Sequence, residues 1–437
     1  MDFTNTLREW RVEDSAFWET KGKTIAQRNL WISTYCLFLS FSTWFIWSAI
    51  SVNLDKIGFN FTTEQRFTLV AMPGLIGATL RIAYSFVVPI FGGRNWTVIS
   101  TASLLIPAIG IGIAIQDPTT SYSTMLILAA LCGLGGGNFS SSMSNISFFF
   151  PKKEKGGALG INAGFGNIGV SAVQFIAPFA MGISMFGVLG GDSQMLVEGG
   201  ITRQIWLQNV AFLWTIPIII GVFLAFYGMN NLSTVKSSFQ EQLIILKRKH
   251  FYLTTFLYTA SFGSFIGYAA AFPMLIEREM PHLDPLKYAF IGPLIGALAR
   301  VVGGKLGDKF GARVTYLGII VMIGAVLGVI YFTAPSTKNI LGFFLMFFLL
   351  FSASGLLNGS IFRMISVIFP PNEAAPVLGL SAAIASYGAF YIPQMFGISL
   401  NLSGSLVPAL IIFFGFYCVA LFITWWFYTR KNAELTC

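Results

Sequence analysis

Two stretches of the chain read almost alike, Leu75-Ile-Gly-Ala-Thr-Leu-Arg81 and Leu294-Ile-Gly-Ala-Leu-Ala-Arg300, and each sets an arginine inside an otherwise apolar run. Burying a guanidinium at mid-membrane depth costs about 2.5–3.5 kcal/mol on insertion scales. An internal carboxylate would offset that cost, yet none of the 18 acidic residues falls mid-span, Glu277 coming nearest. The chemistry left for the pair is binding an anion. Two guanidinium charges about 8 Å apart repel by about 2 kcal/mol at an effective dielectric near 20, and one monovalent anion relieves that repulsion. Arginine's planar fork also matches a flat oxyanion bidentately, as lysine's point charge does not. Amides supply neutral donors around such a site. Asn138, Ser142 and Asn145 fall at i, i+4 and i+7 on one helical face, and Asn162 and Asn167 follow.

The elements that must hold these residues are membrane helices. The chain is 55% hydrophobic and 10% charged, with 44 phenylalanines, against about 25% charged residues in soluble proteins. Its net charge of +9 is spread over short loops, which excludes a nucleic-acid surface. Cys36, Cys132, Cys418 and Cys437 have no paired or metal-ligand spacing, so neither a disulfide framework, a metal nor another cofactor is expected. With no nucleophile–base pair either, the chain does not read as an enzyme. Its first 28 residues are polar and lack the form of a secretory signal, so the amino terminus is expected in the cytoplasm.

Apolar runs of about 20 residues predict twelve spans, at 29–54, 67–90, 95–115, 121–150, 156–185, 204–229, 251–277, 287–306, 314–333, 340–369, 374–400 and 404–429. With the amino terminus inside, cytoplasmic segments carry 18 Lys and Arg residues and the opposite side 6. That bias puts both termini in the cytoplasm. Arg81, Arg300 and Arg363 lie within spans.

Arg300 follows Arg81 by 219 positions, and the offset recurs without gaps. Phe91-Gly-Gly-Arg94 falls on Phe310-Gly-Ala-Arg313, Phe150-Pro151 on Phe369-Pro370, and Leu159-Gly160 on Leu378-Gly379. The expected fold is therefore an all-α polytopic membrane protein with two parallel six-helix repeats, the arrangement of major facilitators, whose substrate site lies at the midplane. The division is a segment 1–28, an amino-terminal half 29–229, a connecting loop 230–250 and a carboxy-terminal half 251–437. Gly303-Gly-Lys-Leu-Gly-Asp-Lys-Phe-Gly-Ala-Arg313 resembles that superfamily's loop signature, in which an aspartate and an arginine lock helices in one state. Asp308 and Arg313 are the gating candidates there; Arg94 is the candidate in the first copy, which lacks the aspartate. A plain basic turn is the alternative.

The run Gly133-Leu-Gly-Gly-Gly-Asn-Phe-Ser-Ser-Ser-Met-Ser-Asn-Ile-Ser-Phe-Phe-Phe-Pro151, its weaker copy Gly355-Leu-Leu-Asn-Gly-Ser-Ile-Phe-Arg-Met-Ile-Ser-Val-Ile-Phe-Pro370, and the opening from Arg8 to Ser33 resemble the nitrate/nitrite porters of the major facilitator superfamily. The resemblance covers essentially the whole chain. It implies a nitrate or nitrite site clamped by Arg81 and Arg300. It further implies Tyr258 and Asn167 as hydrogen-bonding partners and Phe41 and Phe139 as an aromatic sandwich. Arg363 stands where a neutral residue is expected, and either snorkels to the cytoplasmic surface or makes a third substrate contact. Pro370-Pro-Asn-Glu373 has no basic residue, against the positive-inside pattern.

With no Asp, Glu, His or Lys mid-span, nitrate/nitrite antiport in a bacterial inner membrane is expected, serving nitrate assimilation. Proton-coupled nitrate symport is the alternative. An anion channel suits one deep pair of charges less well, and a receptor would carry a larger soluble domain. The partners expected are the two anions and lipid, with the carrier a monomer.

Overall fold

The computed structural model describes residues 5–198, 201–233, 244–435 and 437. Of the expected terminal segment and connecting loop, residues 1–4 and 234–243 lie outside the described residues. Eleven helices among those described are long and apolar enough to cross a membrane. They are α2 (Thr63–Tyr84), α3 (Gly93–Ala114), α4 (Tyr122–Phe149), α5 (Lys152–Met181), α6 (Asn209–Gly228), α7 (Lys249–Glu279), α8 (Leu286–Phe310), α9 (Ala312–Thr333), α10 (Ile340–Ile368), α11 (Pro376–Ser403) and α12 (Val407–Thr429). The twelfth, α1 (Lys23–Trp44), is 22 residues long and runs on into Ile46–Ile50. Its first turns carry Lys23, Gln27, Arg28 and Asn29, which dilute its apolarity. The expected twelve helices are present, each overlapping its predicted span.

Two features depart from an all-helical reading. Gln194–Glu198 (β2) and Ile201–Ile205 (β3) pair antiparallel between α5 and α6, so α6 begins at Asn209 rather than 204. Gly199-Gly200, a two-residue hairpin signal flanked by β-branched residues, carried that information. Thr6–Leu7 (β1) pairs parallel with Asn231–Leu232 (β4), tying the amino-terminal segment to the end of α6.

By packing, the chain forms two compact units, Met1–Ile46 with Ile76–Glu241, and Trp47–Leu75 with Gln242–Cys437. Within each, the same glycine pair sets a helix crossing. In the first unit a Cβ on Gly136 of α4 would lie 2.8 Å from the Gly77 Cα of α2 and 2.7 Å from the Trp44 ring. In the second, Gly355 of α10 would run into the Gly296 carbonyl of α8. These are repeat equivalents, and each glycine on α2 or α8 lies one turn before its arginine. The two backbones touch there because neither residue has a side chain, the small-residue packing that replaces hydrophobic association in lipid. The repeat extends to the turn after the arginine helices, where Gly92 (φ +83°) and Gly311 (φ +59°) both take left-handed backbone that favours glycine.

The halves differ just beyond the arginine. α8 runs on from Arg300 to Phe310, whereas α2 stops at Tyr84 and a separate short helix, Val87–Phe91, completes the span.

Gly136→Val forces two backbones apart and is expected to lower stability by about 1–3 kcal/mol. Gly157→Ala on α5, where a Cβ meets nothing within 4 Å, is expected to be neutral or slightly stabilising. Thermal unfolding of both variants in detergent checks this.

Candidate anion site

Arg81 is fully buried, at 0% exposure, and neutral groups hold it. Its Nε donates to the Gly136 carbonyl at 2.8 Å, so the glycine that admits α2 also accepts from its arginine. Three rings surround the guanidinium, with Cζ 4.6 Å from the Phe139 centroid, 5.1 Å from Trp44 and 5.9 Å from Phe41. Each such contact is worth about 0.5–2 kcal/mol, and a hydrogen bond from a charged donor about 1.5–3 kcal/mol. Together they offset much of the burial cost. Phe41 and Phe139 meet edge to face, 6.1 Å apart and at 89°, and both approach Arg81.

Arg300 is 9% exposed. Its Cζ lies 4.8 Å from the Phe362 ring and the Tyr258 hydroxyl is beside it. Its Nη1 is buried with no hydrogen-bond partner, and no carboxylate lies within ion-pair distance of Arg300 among the described residues. Tyr258 stacks on Phe262 at 5.5 Å and packs against Phe362 at 5.2 Å. Glu277, the acidic residue nearest mid-span, is committed elsewhere: Arg66 Nη1 approaches its carboxylate at 3.1 Å and Asp55 at 3.3 Å.

The amides divide into two groups. Asn162 closes a network across three helices, accepting from Thr34 at 3.1 Å and donating to Ser142 at 2.9 Å, which pairs with Ser33 at 2.8 Å. Asn138 Nδ2 donates to Ser40 at 2.9 Å while its Oδ1 is buried without a partner. Asn167, 1% exposed, has no hydrogen-bond partner for either amide atom. Asn145 sits instead against Gly93, toward the carboxy-terminal end of α4, with Nδ2 unpartnered. Ser140 lies one turn past Gly136, level with Arg81, and its buried hydroxyl is also unpartnered.

The gating candidates are equally specific. Asp308 pairs with Arg363 of α10, Nε to Oδ1 at 2.6 Å, rather than with Arg313, and the two side chains are 66% and 39% exposed. Arg363 thus ends at a carboxylate. Gly307 makes this possible, since its missing side chain brings α8 against Ser360 and Arg363. Arg94 is buried, donating from Nε to the Phe226 carbonyl at 2.7 Å and lying 4.5 Å over the Phe226 ring. It finishes α6, where a cation satisfies free carbonyls.

Sequence reasoning missed four groups. Trp44 follows Phe41 by one turn, a usable signal; Phe362 was overshadowed by its charged neighbour. Glu373, 7% exposed, takes a bidentate pair from Arg248 at 2.7 and 3.1 Å, which supplies the cation its own loop lacks. That bonding raises the Arg248 pKa above its ordinary value. Its repeat equivalent Glu154 accepts from Trp18 Nε1 at 2.9 Å. Arg248→Ala leaves the buried Glu373 charge uncompensated, so it is expected to destabilise more than Glu373→Gln, which removes that charge. Unfolding midpoints of the two variants test the ordering.

The family model of the Major Facilitator Superfamily matches residues 30–393. The chain is 46% identical to the nitrate/nitrite transporter NarU of Escherichia coli K12, over 98% of this chain and 96% of that one. It is 41% identical to the probable nitrate/nitrite antiporter NarK2 of Thermus thermophilus, over 99% and 98%. The inward-open xylose transporter XylE of E. coli shares the fold, with a TM-score of 0.66 and 14% identity over 91% and 96% of the two chains. The chain belongs to the Major Facilitator Superfamily and, within it, to the NarK-like nitrate/nitrite transporter family.

Proposed function

We propose that the chain exchanges nitrate for nitrite across the bacterial cytoplasmic membrane by alternating access, with Arg81 and Arg300 as the anion's charged ligands. The observation that carries this reading is a pair of buried arginines at equivalent positions of the repeat, in a chain 46% identical to a nitrate/nitrite transporter. Rings beside both guanidinium groups shield them from lipid, and a planar oxyanion matches the fork of an arginine. Asn167 and Tyr258 add neutral hydrogen bonds, and Asn138 contributes to the polar lining, whereas Asn145, against Gly93, lies outside it. Phe41 and Phe139 exclude water from the charge and from the anion's plane. Both termini lie in the cytoplasm, the carrier works as a monomer in lipid, and no cofactor takes part.

The exchange requirement follows from electrostatics. An empty carrier holds two arginines with no anion to offset them, and closing round that arrangement is unfavourable in a medium of low dielectric. Each half-cycle therefore carries an anion. Asp308 with Arg363, and Arg94 at the end of α6, steady the helix ends that move.

Proteoliposomes loaded with nitrite are expected to take up nitrate at least about tenfold faster than empty ones. Uptake that ignores internal nitrite and collapses with a protonophore would replace exchange by proton symport. Nitrate counterflow by Arg81→Lys and Arg300→Lys is expected to fall about tenfold or more, since a point charge loses the bidentate geometry. Near-normal counterflow in both would rule out the two-arginine clamp.

A further inference from the structure

A hydroxyl buried within a helix can donate to the carbonyl four residues back, the local bond open to any helical serine or threonine. Ser40, Thr43, Thr254 and Thr424 all do so, at 2.7–2.9 Å. Ser171 of α5 does not. It is 3% exposed, and its Oγ has no hydrogen-bond partner among the described residues. Four residues back stands Asn167, whose amide is unpartnered at both atoms. The two residues share one helical face, about 6 Å apart along the axis, and the fully buried Gln174 continues the row at i+7. This face is not the one packed on α1, because that contact is made by Gly166 against Leu37 and by Gly169 against Phe38 and Ser42. Buried polar groups are normally satisfied, so two unsatisfied ones one turn apart, Asn167 and Ser171, mark a surface that some polar ligand visits.

We propose that Ser171 is a second oxyanion station, one turn from Asn167 toward the carboxy-terminal end of α5, taking the same planar anion on its way to or from Arg81. The inference rests on the anion-exchange reading above. A lone hydroxyl donor suits this task, because it can hold an oxyanion oxygen without the charge that would trap it. A station that is weak relative to the arginine site lets the anion pass on, as conduction through successive sites requires.

The test combines nitrate/nitrite exchange in proteoliposomes with equilibrium nitrate binding to the purified full chain. Ser171→Ala is expected to slow exchange about three- to tenfold, the scale of one lost neutral hydrogen bond, with nitrate binding within about twofold of the parent. Ser171→Thr, which keeps the hydroxyl, should retain most of the exchange, and its near-isostere Ser171→Val should not. Should the alanine variant insert poorly, the threonine–valine pair decides alone. Exchange at the parental rate in Ser171→Ala, or equal slowing in the threonine and valine variants, overturns the proposal. A parent chain that neither binds nor exchanges nitrate would instead overturn the exchange reading itself.

Discussion

A guanidinium kept from water must have its charge stabilised by something else, and in both halves of this chain neutral groups take part. Around Arg81 these are the Gly136 carbonyl and the rings of Phe139, Trp44 and Phe41; around Arg300 they are Phe362 and Tyr258. A carboxylate partner would have stabilised the fold more simply and cancelled the charge. The acidic residue nearest mid-span is instead drawn to Arg66. Much else follows from how Arg81 is held. α2 must lie close enough to α4 for a side chain to reach a backbone carbonyl, hence glycine at 77 and 136. The same crossing recurs at Gly296 and Gly355, where it sets the level of Arg300.

The repeats are not copies in detail. Arg81 is enclosed and tied to backbone, whereas Arg300 retains a buried Nη1 with no hydrogen-bond partner among the described residues. α2 breaks just past its arginine while α8 continues. Level with the arginine, the first unit has Ser140 and the second has Gly359, whose bare backbone packs on the Arg300 carbonyl.

Much of this was legible in the sequence because its signals are periodic or costly. Twelve apolar runs, a 219-residue offset and two misplaced arginines need no tertiary knowledge to read. The glycines of the repeat could be assigned to helix packing but not to particular neighbours. Illegible were the contacts made between segments distant in sequence. Neither reading of Arg363 named Asp308, 55 residues away, which pairs with it. Glu373 lacked a basic neighbour in its own loop, and Arg248 supplied one from 125 residues upstream. The amides of α4 were read as one row by their spacing, yet Asn145 ends beside Gly93, while Asn138 stays within reach of Ser40.

The central claim is that the buried arginine charge is held open for an exchangeable anion. Calorimetric titration of the purified chain with nitrate tests it most directly, comparing the parent with Arg81→Gln and Arg300→Gln. A dominant site in the parent, lost or weakened at least about a hundredfold in each variant, is the predicted result. Unchanged nitrate affinity in folded Arg81→Gln and Arg300→Gln would contradict it.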